Sequence, residues 1–252
     1  MLKSKLRKSV ISVCLATYNG ENYIESQLSS ILEQLGEQDE IIISDDNSTD
    51  NTREIIERFG DKRINLFLNT RENKGSINNF EHALNKCHGT IIFLCDQDDI
   101  WLPGKVVIMK EKLGKNINLV VADSIVVNEK LEILYESFYE VNNSGNGVVK
   151  NLIKNSYVGC MMAFKEEILP YILPFPKNIP AHDIWIGTVA GVTGKTAFIQ
   201  DKLLLYRRHG NNVSSTSELS KFSLFQKIKF RFYTVIYIPE ILKRVLINKF
   251  YK

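Results

Sequence analysis

The first half of the chain alternates short apolar runs with segments whose apolar residues recur at helical spacing. The short runs, which are typical of strands in a buried sheet, cover residues 10–16, 40–44, 64–69, 90–95 and 118–127. The helical patterns cover residues 22–34, 52–59, 77–87 and 103–113, the last opened by a proline. Repeated strand–helix units of this size predict an α/β fold with a doubly wound, mostly parallel central sheet and helices on both faces.

Polar clusters directly follow three of these predicted strands. The clusters are residues 17–19 (TYN), 45–46 (DD) and 96–99 (DQDD). Because the carboxyl ends of parallel strands lie at one edge of a sheet, and ligands bind beyond that edge, the sequence predicts a single site there.

The second half of the chain is less regular. Residues 142–147 form a turn-rich loop, residues 170–180 hold four of the six prolines, and residues 202–205 are strand-like. Neither an internal repeat nor a long flexible linker is present. We therefore predict one continuous domain over residues 1–220, followed by a C-terminal appendage over residues 221–252.

Three carboxylates crowd into the four residues that follow the strand at 90–95. Repulsion among Asp96, Asp98 and Asp99 disfavours their joint ionisation unless a cation intervenes. A hard divalent ion such as Mg²⁺ or Mn²⁺ prefers carboxylate oxygens together with the oxygens of a bound diphosphate. A solvated acidic turn is the alternative, but the buried strand fixes the cluster at the predicted active edge. The sequence therefore favours a metal site.

Three further segments carry candidate chemistry. Asp46 can accept a hydrogen bond from a base or a ribose hydroxyl, while the residues after it cap the next helix. Asp183 lies beside an apolar run and is a candidate general base, although an acid at a helix start is often a cap. Arg207, Arg208 and His209 can hold a phosphate or complete a metal site, or form a basic surface turn.

Five motifs together resemble a known family. ATYNGENYI, ISDDNSTDNT, CDQDDIWLP, AHDIW and YRRHGNN are similar, in order and spacing, to the inverting glycosyltransferases of family 2 with a GT-A fold. The bacterial rhamnosyltransferase-like members of O-antigen and capsule biosynthesis are the most similar group, and the resemblance covers about residues 9–213. In the last motif, Arg208 stands where the family commonly has glutamine, and Asn212 matches its asparagine.

The resemblance implies a role for each matching residue. Tyr18 would stack on the pyrimidine of a nucleotide, and Asp183 would be the catalytic base. The metal ligands would be Asp98 or Asp99, together with His209. The residues implied to bind the nucleotide-sugar donor are Thr17, Tyr18, Asn19, Asp46, Gly75, Asn79, Asp96, Arg207 and Arg208.

The implied activity is transfer of a sugar, with inversion, from a nucleotide diphosphate to a hydroxyl of a glycan acceptor. Rhamnose from dTDP-rhamnose is the favoured donor, and a lipid-linked acceptor is expected. A sugar-1-phosphate nucleotidyltransferase is the alternative enzyme, but ATYNGENYI lacks that class's Gly-rich phosphate loop with a basic residue. A non-catalytic nucleotide-sugar-binding subunit is disfavoured by the presence of Asp183 and the full acidic cluster. A dinucleotide reductase is disfavoured because no G-x-G-x-x-G follows the first strand.

Composition narrows the class of protein. The chain has 252 residues, 44% of them hydrophobic and 24% charged, which excludes collagen-like, disordered and disulfide-scaffold proteins. The four cysteines form no C-x-x-C pair, so we expect reduced thiols rather than a zinc site. No uncharged apolar stretch approaches the roughly 20 residues of a membrane span. These features predict a cytoplasmic protein.

Residues 221–252 differ from the rest of the chain in charge. Eight bases against one acid give this segment +7, so the rest of a chain with net charge +3 carries −4. Basic residues alternate there with Phe, Tyr and Ile, and Pro239 divides the segment into two amphipathic pieces. The pattern suits an anionic membrane interface and predicts peripheral association with the inner face of the cell membrane. The alternative is a helix pair packed on the domain or on another subunit; no nucleic-acid module is recognisable.

Overall fold

A mixed sheet of nine strands forms the centre of the part of the protein that the structure describes. The structure is a computed structural model, which describes residues 10–70, 74–114, 116–210 and 224–250. The strands are β1 (Ile11–Thr17), β2 (Glu40–Asp45), β3 (Ile64–Leu68), β4 (Ile91–Asp96), β5 (Ile100–Trp101), β6 (Ile117–Val127), β7 (Ile133–Tyr135), β8 (Met162–Lys165) and β9 (Lys195–Arg207). Their order is β3-β2-β1-β4-β8-β6-β9-β5, and β7 pairs with β6.

The first four strands are parallel, as the sequence predicts. The apolar residues of β1, β2 and β4 are almost fully buried, because helices cover both faces of this half of the sheet, whereas those of the edge strand β3 are partly exposed. Thr17 at the end of β1 lies opposite Asp45 of β2, and Ala16 lies opposite Asp96 of β4. The three strands therefore end together, and the polar clusters that follow them share one edge.

The helices between these strands also agree with the predicted pattern. They are α1 (Ile24–Leu32), α2 (Thr52–Arg58), α3 (Ser76–Leu84) and α4 (Lys105–Lys112). The last begins two residues after Pro103, because Gly104 adopts a left-handed conformation (φ +87°) and turns the chain into the helix.

The second half of the sheet mixes strand directions. The long strand β6 pairs antiparallel with β8 and parallel with β9. Strand β9 extends well beyond the predicted residues 202–205, because its first half is partly exposed and has only a three-residue apolar run, Ala197–Ile199, between polar residues. The helices here are α5 (Phe138–Asn142), α6 (Val148–Ile153), α7 (Leu169–Ile172) and α8 (His182–Thr193).

Two helices complete the chain, α9 (Leu224–Ile236) and α10 (Ile238–Phe250). As predicted, the segment is divided near Pro239. One face of the pair packs on α7 and α8: Ile241 is fully buried, and the ring of Tyr237 lies 6.0 Å from that of Trp185. Arg244 donates to the carbonyl oxygens of Tyr171 and Ile172 at 3.1 and 3.2 Å. Within the described ranges, no helix has both the length and the apolar character needed to cross a bilayer.

Candidate active site

The loops after β1 and β4 are joined by one side chain that the sequence reasoning did not single out. The Gln97 amide oxygen accepts from the Thr17 hydroxyl at 2.6 Å and from the Tyr18 N–H at 2.8 Å. Its amide nitrogen donates to the Tyr18 carbonyl oxygen at 3.0 Å. A Cβ atom at Gly20 would lie 2.5 Å from the Gln97 amide oxygen, so a side chain at this position would displace the Gln97 amide from these contacts.

The loop after β1 is also tied to the loop after β2. Asn19 has a φ of +47°, a left-handed conformation that asparagine tolerates. Its N–H donates to the Ser48 hydroxyl at 2.9 Å, and its side-chain oxygen accepts from the Thr49 N–H at 2.8 Å. Between these anchored residues the Tyr18 side chain is 55% exposed. The arrangement presents an aromatic ring on a fixed backbone, which is what a stacking platform for a base needs.

Asp46 and Gly75, which belong to different motifs of the resemblance, are hydrogen-bonded to each other. The Asp46 carboxylate accepts from the Gly75 N–H at 2.7 Å and from the Asn69 amide at 3.0 Å, and the Lys74 ammonium lies 3.7 Å away. Gly75 has a φ of +104°, a conformation that side-chain-bearing residues rarely adopt. The carboxylate is therefore fixed at the edge beside the loop after β1.

Asn79 supports this edge from behind. It is buried, and its amide nitrogen donates to the Thr17 carbonyl oxygen at 3.1 Å. Its amide oxygen accepts from the Ser44 hydroxyl at 2.5 Å. These contacts hold the end of β1 in place and give Asn79 a supporting position beneath the loop that carries Tyr18.

The acidic loop after β4 presents its carboxylates in two directions. One oxygen of Asp98 lies 2.8 Å from Nε2 of His209, whereas Asp99 is fully buried and accepts from the Arg207 N–H at 3.0 Å. The possible ligand atoms of Asp96, Asp99 and Cys160 lie within 4.8 Å of one another. The three predicted metal residues are thus divided, with Asp98 and His209 together and Asp99 behind them.

The acidic groups strongly perturb one another. Burial and then the neighbouring charge of Asp98 raise the pKa of both Asp96 and Asp99. Asp183 also contributes to the raised pKa of Asp96. One turn links the two carboxylates, because the Gly159 backbone hydrogen-bonds to Asp183 and the Cys160 thiol lies within 4.8 Å of the Asp96 carboxylate. A divalent cation would relieve the repulsion. Carboxylate oxygens are ligands that Mg²⁺ and Mn²⁺ prefer, and an imidazole nitrogen is a common ligand of divalent transition metals. The residues present therefore fit a metal ion.

The basic residues that end β9 hold the acidic loop. Arg207 is buried, and its guanidinium donates to the carbonyl oxygens of Asp98 at 2.8 Å and Glu129 at 3.0 Å. Arg208 donates to the Tyr206 hydroxyl at 3.3 Å. The sequence predicts phosphate contacts for both arginines; the structure gives Arg207 a supporting position under Asp98. Asn212 of the same motif lies outside the described residues.

Tyr23 is a further site residue that sequence reasoning missed. The ring centroid of His209 stacks 4.7 Å from that of Tyr23, and the Arg207 guanidinium carbon lies 5.1 Å from the same ring. The tyrosine therefore fixes the imidazole that pairs with Asp98. Its position in the quoted ATYNGENYI motif was the signal that could have found it.

Asp183 lies in the first turn of α8, where the helix dipole favours a negative charge. The N-cap residue is Ala181, so Asp183 is not the cap. Its carboxylate accepts from the Ile184 N–H at 2.7 Å. Burial raises the pKa of Asp183 to about 6, although hydrogen bonds from the backbone of Ile184 and Gly159 oppose the shift. A carboxylate with a pKa close to neutrality is well suited to accept a proton.

His182 packs directly beside this carboxylate. Its ring stacks on Phe80 with centroids 3.8 Å apart, and a Cβ atom at Gly159 would lie 2.6 Å from its Nε2. Burial lowers the pKa of His182 to about 3, so the ring is neutral. Its Nε2 has no hydrogen-bond partner among the described residues. The imidazole acts as a rigid packing element between α3 and the turn at Gly159.

Comparison with protein families gives a match to glycosyl transferase family 2 over residues 12–173. The chain is 28% identical over 179 residues to the UDP-Glc:alpha-D-GlcNAc-diphosphoundecaprenol beta-1,3-glucosyltransferase WfgD of Escherichia coli, covering 66% of this chain and 64% of that protein. It is 30% identical over 225 residues to the dTDP-rhamnosyl transferase RfbG of Shigella flexneri, covering 79% of this chain and 72% of that protein. The chain thus spans somewhat less than two thirds of the length of WfgD.

Solved structures share the fold. The S. aureus protein TarS, residues 1–349 in complex with UDP-GlcNAc, superposes with a TM-score of 0.69 at 14% identity, covering 91% of this chain and 67% of that one. The mannosyltransferase PcManGT from Pyrobaculum calidifontis, in complex with GDP-Man and Mn²⁺, superposes with a TM-score of 0.61 at 22% identity, covering 82% and 59%. The predicted GT-A fold is confirmed.

Proposed function

The chain belongs to glycosyl transferase family 2, and we propose that it transfers a sugar from a nucleotide diphosphate donor to a hydroxyl of a glycan acceptor in cell-surface polysaccharide synthesis. The observation that carries this proposal is the convergence of two carboxylate groups on one space. The backbone of Gly159 hydrogen-bonds to Asp183 of α8, and the thiol of the next residue, Cys160, lies within 4.8 Å of carboxylate oxygens of Asp96 and Asp99 at the end of β4. A donor-binding edge and a candidate base therefore face each other.

The catalytic base and the donor occupy separate positions in this arrangement. Tyr18 and Asp46 would hold the nucleobase of the donor, and Asp96 would hold its ribose. Asp183 would accept the proton of the acceptor hydroxyl while the hydroxyl oxygen forms a bond to the anomeric carbon of the sugar. At the same time the bond between the anomeric carbon and the diphosphate oxygen would break, and its electron pair would leave with the diphosphate. A single displacement of this kind requires one base and inverts the anomeric configuration.

Asp98 and His209 would hold a divalent cation, with Asp96 nearby. When bound, such an ion neutralises the charge that develops on the leaving diphosphate. Support comes from the 2.8 Å separation of the two side chains, from the crowding of carboxylates, and from the Mn²⁺ in the PcManGT complex. The hydrogen bond between Gln97 and Tyr18 would keep the nucleobase platform oriented, and the stacking of Tyr23 on His209 would keep the metal ligand oriented.

The proposed donor is dTDP-rhamnose. Support comes from the similarity to RfbG, which is named a dTDP-rhamnosyl transferase. The natural competitor is UDP-glucose, the donor in the name of WfgD. The latter protein is also named for a diphosphoundecaprenol acceptor, which supports a lipid-linked acceptor for this chain and its association with the inner face of the membrane through α9 and α10.

A thermal-shift screen tests the donor assignment. The protein is heated with dTDP, UDP, GDP or NAD, each with and without Mn²⁺. A ligand at 100 times its dissociation constant stabilises the folded state by about 2.7 kcal/mol. We expect dTDP with Mn²⁺ to give the largest shift. A larger response to UDP would replace the proposed donor, and no response to any nucleoside diphosphate would contradict the transferase assignment.

A further inference from the structure

Three helices expose apolar side chains to solvent along one face each. On α6, Val149 and Ile153 are 72% and 67% exposed, and their spacing of four residues places them on one side of the helix. Among the side chains that the structure describes, helices α9 and α10 each expose three large apolar residues, at helical spacing: Phe232, Val235, Ile236, Leu242, Leu246 and Ile247. Contiguous exposed apolar surface of this kind marks an interaction site.

Helix α6 lies against α9. The Arg231 guanidinium of α9 donates to the carbonyl oxygen of Ile153 at 2.7 Å, which places the end of α6 against the middle of α9. A narrow crevice between these helices is lined by Leu152 of α6, Ile184 of α8 and Thr234 of α9, among others. The crevice therefore reaches the residue next to Asp183.

The charges around these residues are of one sign. Lys150 and Lys154 directly follow Val149 and Ile153, and both are exposed. Neither α6 nor α9 contains an acidic residue, and the single acid of α10, Glu240, pairs with Arg244 at 3.1 Å. A basic apolar surface is attracted to an anionic bilayer. A second copy of the chain would instead bring like charges together.

We propose that α6, α9 and α10 form one surface that binds an anionic bilayer, and that Val149 and Ile153 enter the membrane interface beside α9. This inference rests on the proposed function for its lipid-linked acceptor. It adds a second membrane contact, contributed by the catalytic domain itself.

Co-sedimentation with vesicles tests the inference. The full chain is mixed with vesicles of phosphatidylcholine containing 30% phosphatidylglycerol, or of phosphatidylcholine alone. The double variant Val149→Ser/Ile153→Ser is expected to bind the anionic vesicles about tenfold more weakly than the wild type, since two inserted apolar side chains are lost. The matched control, Ile133→Ser/Leu134→Ser, removes two exposed apolar residues of β7 (55% and 48% exposed) and is expected to bind as the wild type does.

Three results would overturn the inference. In the first, the α6 variant binds like the wild type while Phe232→Ser/Val235→Ser loses binding, which would confine the membrane contact to the C-terminal helices. In the second, the wild type binds neutral and anionic vesicles equally. In the third, loss of vesicle binding in the α6 variant accompanies loss of a dimer in sedimentation velocity. Nucleotide binding without vesicles, measured on the same samples, separates this outcome from failure of the proposed function: we expect all variants to retain it.

Discussion

The imidazole of His209 and the carboxylate of Asp98 lie 2.8 Å apart, although 111 residues separate them in the chain. The contact joins the loop after β4 to the end of β9, and stacking of His209 on Tyr23 holds it in place. Both side chains are largely buried, with 3% of His209 and 13% of Asp98 exposed. The pair closes the site on the side where the diphosphate of a donor would lie.

The proposal that Asp98 and His209 bind a divalent cation can be tested by removing the imidazole. We expect His209→Ala to reduce the extra thermal stabilisation that Mn²⁺ gives in the presence of the nucleoside diphosphate, because one ligand and its packing on Tyr23 are lost. We also expect chelation of divalent ions with EDTA to abolish sugar transfer by the wild type. The matched control is His88→Ala, since His88 is 80% exposed and contacts Glu40 away from the site. An unchanged response to Mn²⁺ in His209→Ala would argue against this ligand.

Gln97 provides a test of loop positioning. Gln97→Ala removes three hydrogen bonds to Thr17 and Tyr18, each of which contributes about 0.5–1.5 kcal/mol. We expect donor affinity, measured by calorimetric titration, to fall by about tenfold or more, while the proton-accepting side of the site is unchanged. Gly20→Ala should give a similar loss, because its Cβ would displace the Gln97 amide.

The control for this test is a glutamine of similar burial outside the site. Gln34→Ala removes a hydrogen bond to the Leu102 carbonyl oxygen, so it costs stability without touching the donor edge. Wild-type donor affinity in Gln97→Ala would show that the loop after β1 keeps its position without this clamp.

His182 makes folding stability depend on pH. Burial lowers its pKa in the folded state to about 3 from the ordinary value of 6.5. Below pH 6.5 the unfolded chain therefore binds a proton that the folded protein does not, and stability decreases as the pH falls towards 3. The slope from this one group is about 1.4 kcal/mol per pH unit.

Chemical denaturation of the wild type and of His182→Gln between pH 4 and 8 measures this effect. We expect the variant to be less stable than the wild type at pH 8, because it loses the stacking on Phe80, and the difference between them to shrink as the pH falls. His88→Ala should keep the wild-type slope. A constant difference across the pH range would contradict this, because it would mean that the pKa of His182 is the same in the folded and the unfolded protein.

Asp183 makes the activity depend on pH in the same direction, since the transfer rate also decreases as the pH falls. Burial raises its pKa to about 6, and only the ionised carboxylate can accept a proton. We therefore expect kcat/KM for transfer to increase as the pH rises through about 6 and then to level off. Measurement from pH 4.5 to 8 at saturating Mn²⁺ would show this limb; a rate that is flat down to pH 4.5 would contradict it.

Much of the sheet and the location of the site could be predicted from the sequence. The runs that became β1, β2 and β4 are apolar throughout, so their burial and the common edge of their polar ends follow from the pattern alone. Strand β8 has four residues and β9 begins with polar ones, so neither differs from loop sequence. Their pairing with β6 depends on contacts that are distant in the chain.

The roles of individual side chains within each cluster could not be predicted in the same way. Asp98 and Asp99 are adjacent and chemically identical, yet one faces His209 and the other is buried against Arg207. Gln97 acts through the backbone of Tyr18, and His182 through its packing against Phe80 and Gly159. These partners are brought together only by the tertiary fold.

The central claim is that Asp183 is the base of a glycosyl transfer reaction, and one variant tests it most directly. Asp183→Asn keeps the size of the side chain but cannot accept the proton. We expect it to bind dTDP and Mn²⁺ with wild-type affinity and to transfer sugar at least about 10²-fold more slowly, the usual contribution of a general base. Wild-type transfer by this variant, with donor binding intact, would contradict the account.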